Sequence, residues 1–187
     1  MAQIATNQFK NGMTIEVDGN LWNIVEFQHV KPGKGGAFVR TKLKNVRSGA
    51  VLDRTFRAGE KFELAHIERQ EMQYLYSAGR THVFMNTDTY EQLELDEDRL
   101  GDTAKYLKPD MRIFVVSTGG QVLGVEPPTF VELVVTETAP GVRGDTVSGG
   151  SKPAVVETGA TVGVPFHVNS GDVIRVDTRT GEYVSKV

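Results

Sequence analysis

The chain has 187 residues, no cysteine and a formal net charge of −3. The absence of cysteine rules out disulfides, a thiol nucleophile and a thiolate metal site, and it fits a reducing cytoplasmic setting. No run of about 18 apolar residues occurs and the first residues lack the sectors of a signal peptide, so a cytoplasmic protein with no membrane association is expected.

Divided along the chain, the charge is strongly polarised. Residues 1–64 hold ten Lys/Arg against six Asp/Glu, residues 65–127 six against eleven, and residues 128–187 five against seven. The local balances are +4, −5 and −2, which sum to −3. Between residues 31 and 57, Lys31, Lys34, Arg40, Lys42, Lys44, Arg47, Arg54 and Arg57 face Asp53 alone. Two readings fit: a polyanion partner for the first module only, because the acidic remainder would repel nucleic acid, or a basic face that is simply solvated.

In chain order, the dominant pattern has period two. "MTIEV", then Asp18-Gly19, then "LWNIVEF" predicts a hairpin with an Asp-Gly turn. From Ala37 onward one face collects Ala37, Val39, Thr41 and Leu43, and the other Phe38, Arg40, Lys42 and Lys44. "VLDRTFRAGEKFEL" adds strands around a glycine turn and completes a small β unit by about residue 64. "EMQYLYSAGRTHVFMN" is a second hairpin pattern, and "DEDRLGDTAKYL" is the best short-helix candidate. "MRIFVVSTGGQVLGVE" is a hairpin around Gly119-Gly120, followed by Pro127-Pro128, which cannot continue a ladder and mark a boundary. The runs "PAVVET", "TVGVPFHV", "DVIRV" and "EYVSKV" close the chain. Many short strands predict an all-β protein of three small barrels, 1–64, 65–127 and 128–187. Modules of that size bury marginal cores, so neighbours are expected to dock.

Catalytic constellations are missing. His29, His66, His82 and His167 have no metal-ligand spacing and read as surface or packing residues. "KPGKGGAF" lacks the GxxxxGK[ST] pattern and runs into a strand, so it has no helix N-terminus for a phosphate. "ELDEDRLGD" lacks the alternation of a calcium loop and reads as a solvated helix start. No enzyme activity, metal or cofactor is expected.

The unusual stretch is "HVKPGKGGAFVRTKLKNV", residues 29–46. Pro32 followed by Gly33 fits a type II turn, with Gly33 at the position that needs φ > 0. Lys34 follows, then Gly35 and Gly36, whose missing side chains keep the tip slim. The result is a probe carrying one long cation, backed by a basic strand with an aromatic at its start that can hold nucleic-acid backbone. A swinging-lysine carrier domain also displays lysine on a hairpin, although it flanks that lysine with apolar residues. A generic OB-fold RNA-binding protein would account for the β content and leave the probe unexplained.

These residues resemble the bacterial elongation factor P family over the whole chain. The resemblance is carried by "FQHVKPGKGGAFVRTKLKN", "DRTFRAGEKFE", "MQYLYSAG", "FMNTDTYEQL", "PPTFVELVV" and the long "KPAVVETGATVGVPFHVNSG". It implies an SH3-like (KOW-like) first domain and two OB folds in an L-shaped, tRNA-like arrangement, acting as a monomer. It also implies binding to the ribosome between the P and E sites and relief of stalling at consecutive prolines, with peptidyl-tRNA as the partner. Lys34 aligns with the family's modified tip and implies a lysine-modifying enzyme, with β-lysyl, aminopentanol-type and unmodified forms all open. Lys31, Arg40, Lys42 and Lys44 are assigned to tRNA backbone. Gly144, Asp145, Thr146, Val147, Ser148, Gly149 and Gly150 align with a loop near the E-site mRNA codon, and Tyr183 with a C-terminal contact.

Overall fold

The computed structural model describes residues 2–141 and 150–187. Strands account for 58% of the chain and helix for 7%, so the all-β expectation holds. Three sheets carry the fold, and the chain divides into two compact units. One runs to Arg69 and adds Val116–Gly124; the other joins Gln70–Val115 to Val125–Val187.

The first sheet has the order β1-β6-β2-β3-β4-β5. Its strands are β1 (Ala2–Ala5), β2 (Thr14–Val17), β3 (Asn20–Val30), β4 (Phe38–Asn45), β5 (Val51–Arg57) and β6 (Lys61–Ala65). Asp18 and Gly19 join β2 to β3 with φ of 51° and 75°. Two consecutive positive φ values define a type I′ turn, whose twist matches the strands it connects. Inside the sheet, Ile15, Ile24, Val39 and Leu43 are fully buried. Phe9 stands edge-on to Phe56 at 6.3 Å, while Phe56 and Phe62 lie 4.6 Å apart. Aromatic pairs in such geometries add stabilisation beyond the area they bury.

The second sheet has the order β11-β10-β7-β8-β9. It comprises β7 (Glu68–Ala78), β8 (Thr81–Met85), β9 (Gln92–Asp96), β10 (Arg112–Thr118) and β11 (Gln121–Glu126). The expected helix is shorter than its pattern suggests. Only Glu97–Leu100 is α-helical, followed by a 3-10 stretch at Gly101–Tyr106. Gly101 ends the first turn with φ 55° and ψ −135°, a conformation essentially reserved for glycine. Glu97 and Asp98 do occupy the first turn, and both pair with Arg80. In this sheet His82 is buried, with its Nδ1 3.1 Å from the Tyr74 hydroxyl.

The third sheet has the order β14-β13-β12-β15-β16. Its strands are β12 (Phe130–Thr138), β13 (Ser151–Val156), β14 (Thr161–Pro165), β15 (Val173–Asp177) and β16 (Glu182–Lys186). Its valine-rich core includes Leu133, Val164 and Ile174, and it also receives Tyr106 from the 3-10 stretch. Close by, the Thr158 hydroxyl donates to the Lys105 carbonyl at 2.5 Å, and Lys108 Nζ to the Glu132 carbonyl at 2.7 Å. The docking expected of undersized cores is thus made within the second unit by one inserted tyrosine and a few backbone-directed bonds.

The loop at residues 31–37 corrects one sequence expectation. Gly33 does not have positive φ; Gly35 does, at 106°. The left-handed residue therefore follows Lys34 instead of preceding it, and Pro32-Gly33 is no type II turn. β3 and β4 end in the pair Val30↔Phe38, so the chain need not reverse tightly at Pro32. Its reversal is spread over seven residues, and the one strained position falls past the tip.

Two tests arise here. A Cβ on Gly35 would meet only Pro32 Cγ, at 4.0 Å, so φ and not space forbids a side chain. Gly35→Ala should lower unfolding free energy by about 1 kcal/mol while Gly33→Ala, on permissive backbone, changes it by less than half of that; chemical denaturation of both variants measures the contrast. Burial pushes the His82 pKa below its ordinary 6.5, against a smaller opposing pull from Glu97. The unfolded chain then binds more protons than the folded one just below that value, so stability is full above pH 6.5 and declines as pH falls through the window beneath it. Thermal unfolding between about pH 7.5 and about pH 5 should show the decline, and His82→Gln should remove it.

Candidate functional site

Strand β4 is hydrogen-bonded on both sides, to β3 and to β5, so its alternation is rigidly imposed. Val39, Thr41 and Leu43 are buried and Arg40, Lys42 and Lys44 exposed, as the period-two reading expects. The Thr41 hydroxyl donates to the Arg54 carbonyl at 2.6 Å, which satisfies the one polar group β4 turns inward. Phe38 is half-buried, and the Arg40 guanidinium lies over its ring at 5.6 Å from the centroid. That cation–π contact orients Arg40 toward the loop end of the strand.

The register shows what surrounds each cation. Arg40 stands between Gln28 on β3 and Thr55 on β5. Lys42 stands between Glu26 and Asp53, with its Nζ 3.8 Å from Glu26 Oε2. Lys44 stands between Asn23 and Val51. A bulge between Ile24 and Glu26 causes this arrangement. Were the pairing to continue regularly past Ile24, Val25 would face Lys42 and Glu26 would turn inward beside Thr41. The bulge also turns Phe27 toward Phe9, 6.4 Å away and edge-on. Sequence reasoning saw the basic row and Asp53 but missed Glu26 beside Lys42, because a bulge leaves no periodic signal.

Beyond the row, Lys31, Pro32, Gly33, Lys34, Gly35 and Gly36 are all exposed. No heavy atom lies within 4 Å of where a Cβ would stand on Gly33 or Gly36, which leaves the tip as slim as expected. A cleft of about 390 Å³ opens beside the row, lined by Glu26, Gln28, Arg40, Lys42, Asp53 and Thr55 among others. Eight of its nine lining residues are charged or polar, Phe27 being the exception, so it suits a polar ligand better than an apolar one. Arg54, which also borders it, is held by Asp18 at 2.7 Å.

The other expected contacts lie in the third sheet or beyond the described residues. Gly144, Asp145, Thr146, Val147, Ser148 and Gly149 are outside the described residues. Gly150 is described: a Cβ there would stand 2.5 Å from the Phe166 ring, and one on Gly141 would stand 2.6 Å from the Phe166 carbonyl oxygen. Glycine at 141 is thus a packing requirement set by backbone, whereas a side chain at 150 would need the Phe166 ring to move. Tyr183 is half-buried and packs against the third core, opposite Val176. Among the described residues no group of three or more His, Asp or Glu side chains is arranged to hold a metal ion. No described helix is long and apolar enough to cross a membrane.

Comparison with known proteins accounts for this architecture piece by piece. The elongation factor P KOW-like domain matches residues 5–62, its OB domain residues 67–125, and its C-terminal domain residues 131–186. The elongation factor P of Moorella thermoacetica is 59% identical over 183 residues, 98% of this chain and 99% of that one. The factor of Natranaerobius thermophilus is 59% identical over 184 residues, covering 98% of each chain. Among solved structures, the eukaryotic translation initiation factor 5A from Methanococcus jannaschii superposes with a TM-score of 0.54 at 26% identity, over 67% of this chain and 92% of its own. With all three domains matched in order and near-complete coverage by relatives at this identity, the chain belongs to the elongation factor P family, non-enzymatic translation factors that act with the ribosome.

Proposed function

We propose that the chain binds the ribosome between the P and E sites and relieves stalling at consecutive prolines by positioning peptidyl-tRNA. The observation that supports this is the placement of Lys34 at an exposed, side-chain-poor tip beyond a sheet whose outward row is cationic. Proline restricts the geometry of attack in peptide transfer, and holding the CCA end in a near-attack arrangement offsets that entropic cost without a protein catalytic group. Lys34 reaches the phosphates of that end, as a bare ammonium or after extension by a lysine-modifying enzyme. Lys31, Arg40, Lys42 and Lys44 engage tRNA backbone, with Arg40 and Lys44 the cations that have no acidic cross-strand neighbour. Pro32, Gly33, Gly35 and Gly36 keep the tip narrow. The three modules are residues 1–64, 65–127 and 128–187; residues 144–150 serve the E-site codon, and Tyr183 on β16 makes the C-terminal contact.

The acidic middle module fits this reading as a spacer that meets protein surface, since its balance of −5 disfavours bare RNA.

Lys34→Ala should leave thermal unfolding unchanged and ribosome co-sedimentation nearly so, yet abolish rescue of a polyproline reporter in a reconstituted translation reaction. Wild-type rescue by that variant would contradict the proposal. Charge reversal at Arg40 and Lys44 together should instead weaken ribosome binding and reduce the magnitude of its log–log salt slope by about 1.4–1.8, the share of two phosphate contacts. Titrations at several salt concentrations give that slope.

A further inference from the structure

Of the three outward cations of β4, only Lys42 is flanked by carboxylates on both neighbouring strands. Its pair with Glu26 is an exposed one, with 45% and 72% of the two side chains accessible, so it contributes little to folding. The bulge at Val25 nevertheless places Glu26 there, and Asp53 occupies the matching position on β5. The group Glu26–Lys42–Asp53 carries one net negative charge in the middle of an otherwise cationic row. Arg40 and Lys44 lie roughly 6.6 Å to either side, two residues along the strand. That spacing is inside the Debye length of about 8 Å at physiological salt, so the acids act on whatever docks against the row.

The geometry points to Glu26 and Asp53 as specificity-determining residues that suppress binding of the row to RNA backbone in general. This rests on the reading of the row as a backbone-contacting surface. A phosphate arriving at Lys42 also meets the Glu26 carboxylate, 3.8 Å from the ammonium, with Asp53 opposite on β5, so its attraction there is weaker than at Arg40 or Lys44. RNA whose phosphates fall at Arg40 and Lys44 avoids that weakening, and its 2′-hydroxyl or base amino donors find acceptors in the cleft that both carboxylates line. The device lets a surface rich in cations sample a cell full of RNA without being retained by it. Affinity for the intended RNA is preserved because discrimination is built from one locally weakened contact instead of a weaker attraction overall.

The test uses the full chain and an RNA hairpin of unrelated sequence as the probe. The double variant Glu26→Gln with Asp53→Asn should bind the hairpin ~3-fold or more tighter than wild type, with a salt slope steeper by about 0.7–0.9, one added phosphate contact. Adding Lys42→Ala should cancel both changes. Neutralising two exposed acids elsewhere, Asp88→Asn with Glu94→Gln, changes net charge equally and should reproduce neither. Unchanged hairpin affinity in the first variant overturns the proposal, as does a gain that persists without Lys42 or appears in the distant control. Ribosome co-sedimentation of the wild-type chain, run in parallel, tests the underlying reading separately: its failure would remove the surface's target, whereas failure in the hairpin series alone would remove the role of the two acids.

Discussion

The candidate site depends on the register of β4. This strand is paired on both sides, and its buried residues are wedged into an aromatic and aliphatic core, so a slip of one residue would send Arg40, Lys42 and Lys44 inward and Val39 and Leu43 into water. Burying even one unpaired cation costs several kcal/mol, and three would exceed the 5–15 kcal/mol by which ordinary domains are stable. The core therefore determines the surface: tight packing at Val39 and Leu43 is what holds the cations in a line. The same register delivers the chain to Val30 and Phe38, where the 31–37 loop begins, so the lysine tip inherits its position from the sheet.

What the sequence conveys and what it hides divide along physical lines. Alternation over residues 37–44 was legible because a strand with one buried face must repeat every second residue. The Asp18-Gly19 and Gly119-Gly120 turns were legible because their backbone demands φ > 0 at both places, and all four residues have it. The Pro32-Gly33 turn failed because a glycine permits positive φ without requiring it; in a seven-residue loop the closure constraint settles on Gly35. The bulge at Val25 is silent, since one inserted residue changes the facing of its neighbours without changing their composition. Tyr106 is silent for another reason. It belongs to a short 3-10 stretch with no core of its own, and nothing local distinguishes a tyrosine bound for a neighbouring sheet from one left in solvent.

The acidic neighbours of Lys42 change how the charge map of the first module is to be understood. Counted along the chain, residues 31–57 are overwhelmingly basic. Counted across the sheet, that excess is interrupted at its centre, because Glu26 enters from a strand outside the counted window and Asp53 from within it. Net charge by segment predicts long-range attraction, which averages over many residues. Contact specificity is decided over a few ångströms, where cross-strand partners outweigh sequence neighbours.

Stability and recognition are consequently separable in this chain. Its cores are made of Val, Ile, Leu and Phe side chains with buried polar groups such as Thr41 satisfied, and they gain nothing appreciable from the exposed ion pairs at the surface, each of which contributes about 0–1 kcal/mol. The charges are then free to be arranged for partners. Lys34 illustrates the limit of that freedom: its loop gives it no packing, no ion pair and no aromatic neighbour among the described contacts, so its position is set only by the strands that end beneath it. A lysine held this loosely loses rotamer entropy when it is fixed, up to about 2 kcal/mol. A partner must supply that ordering, which makes a tip of this kind effective only where the rest of the molecule is already anchored.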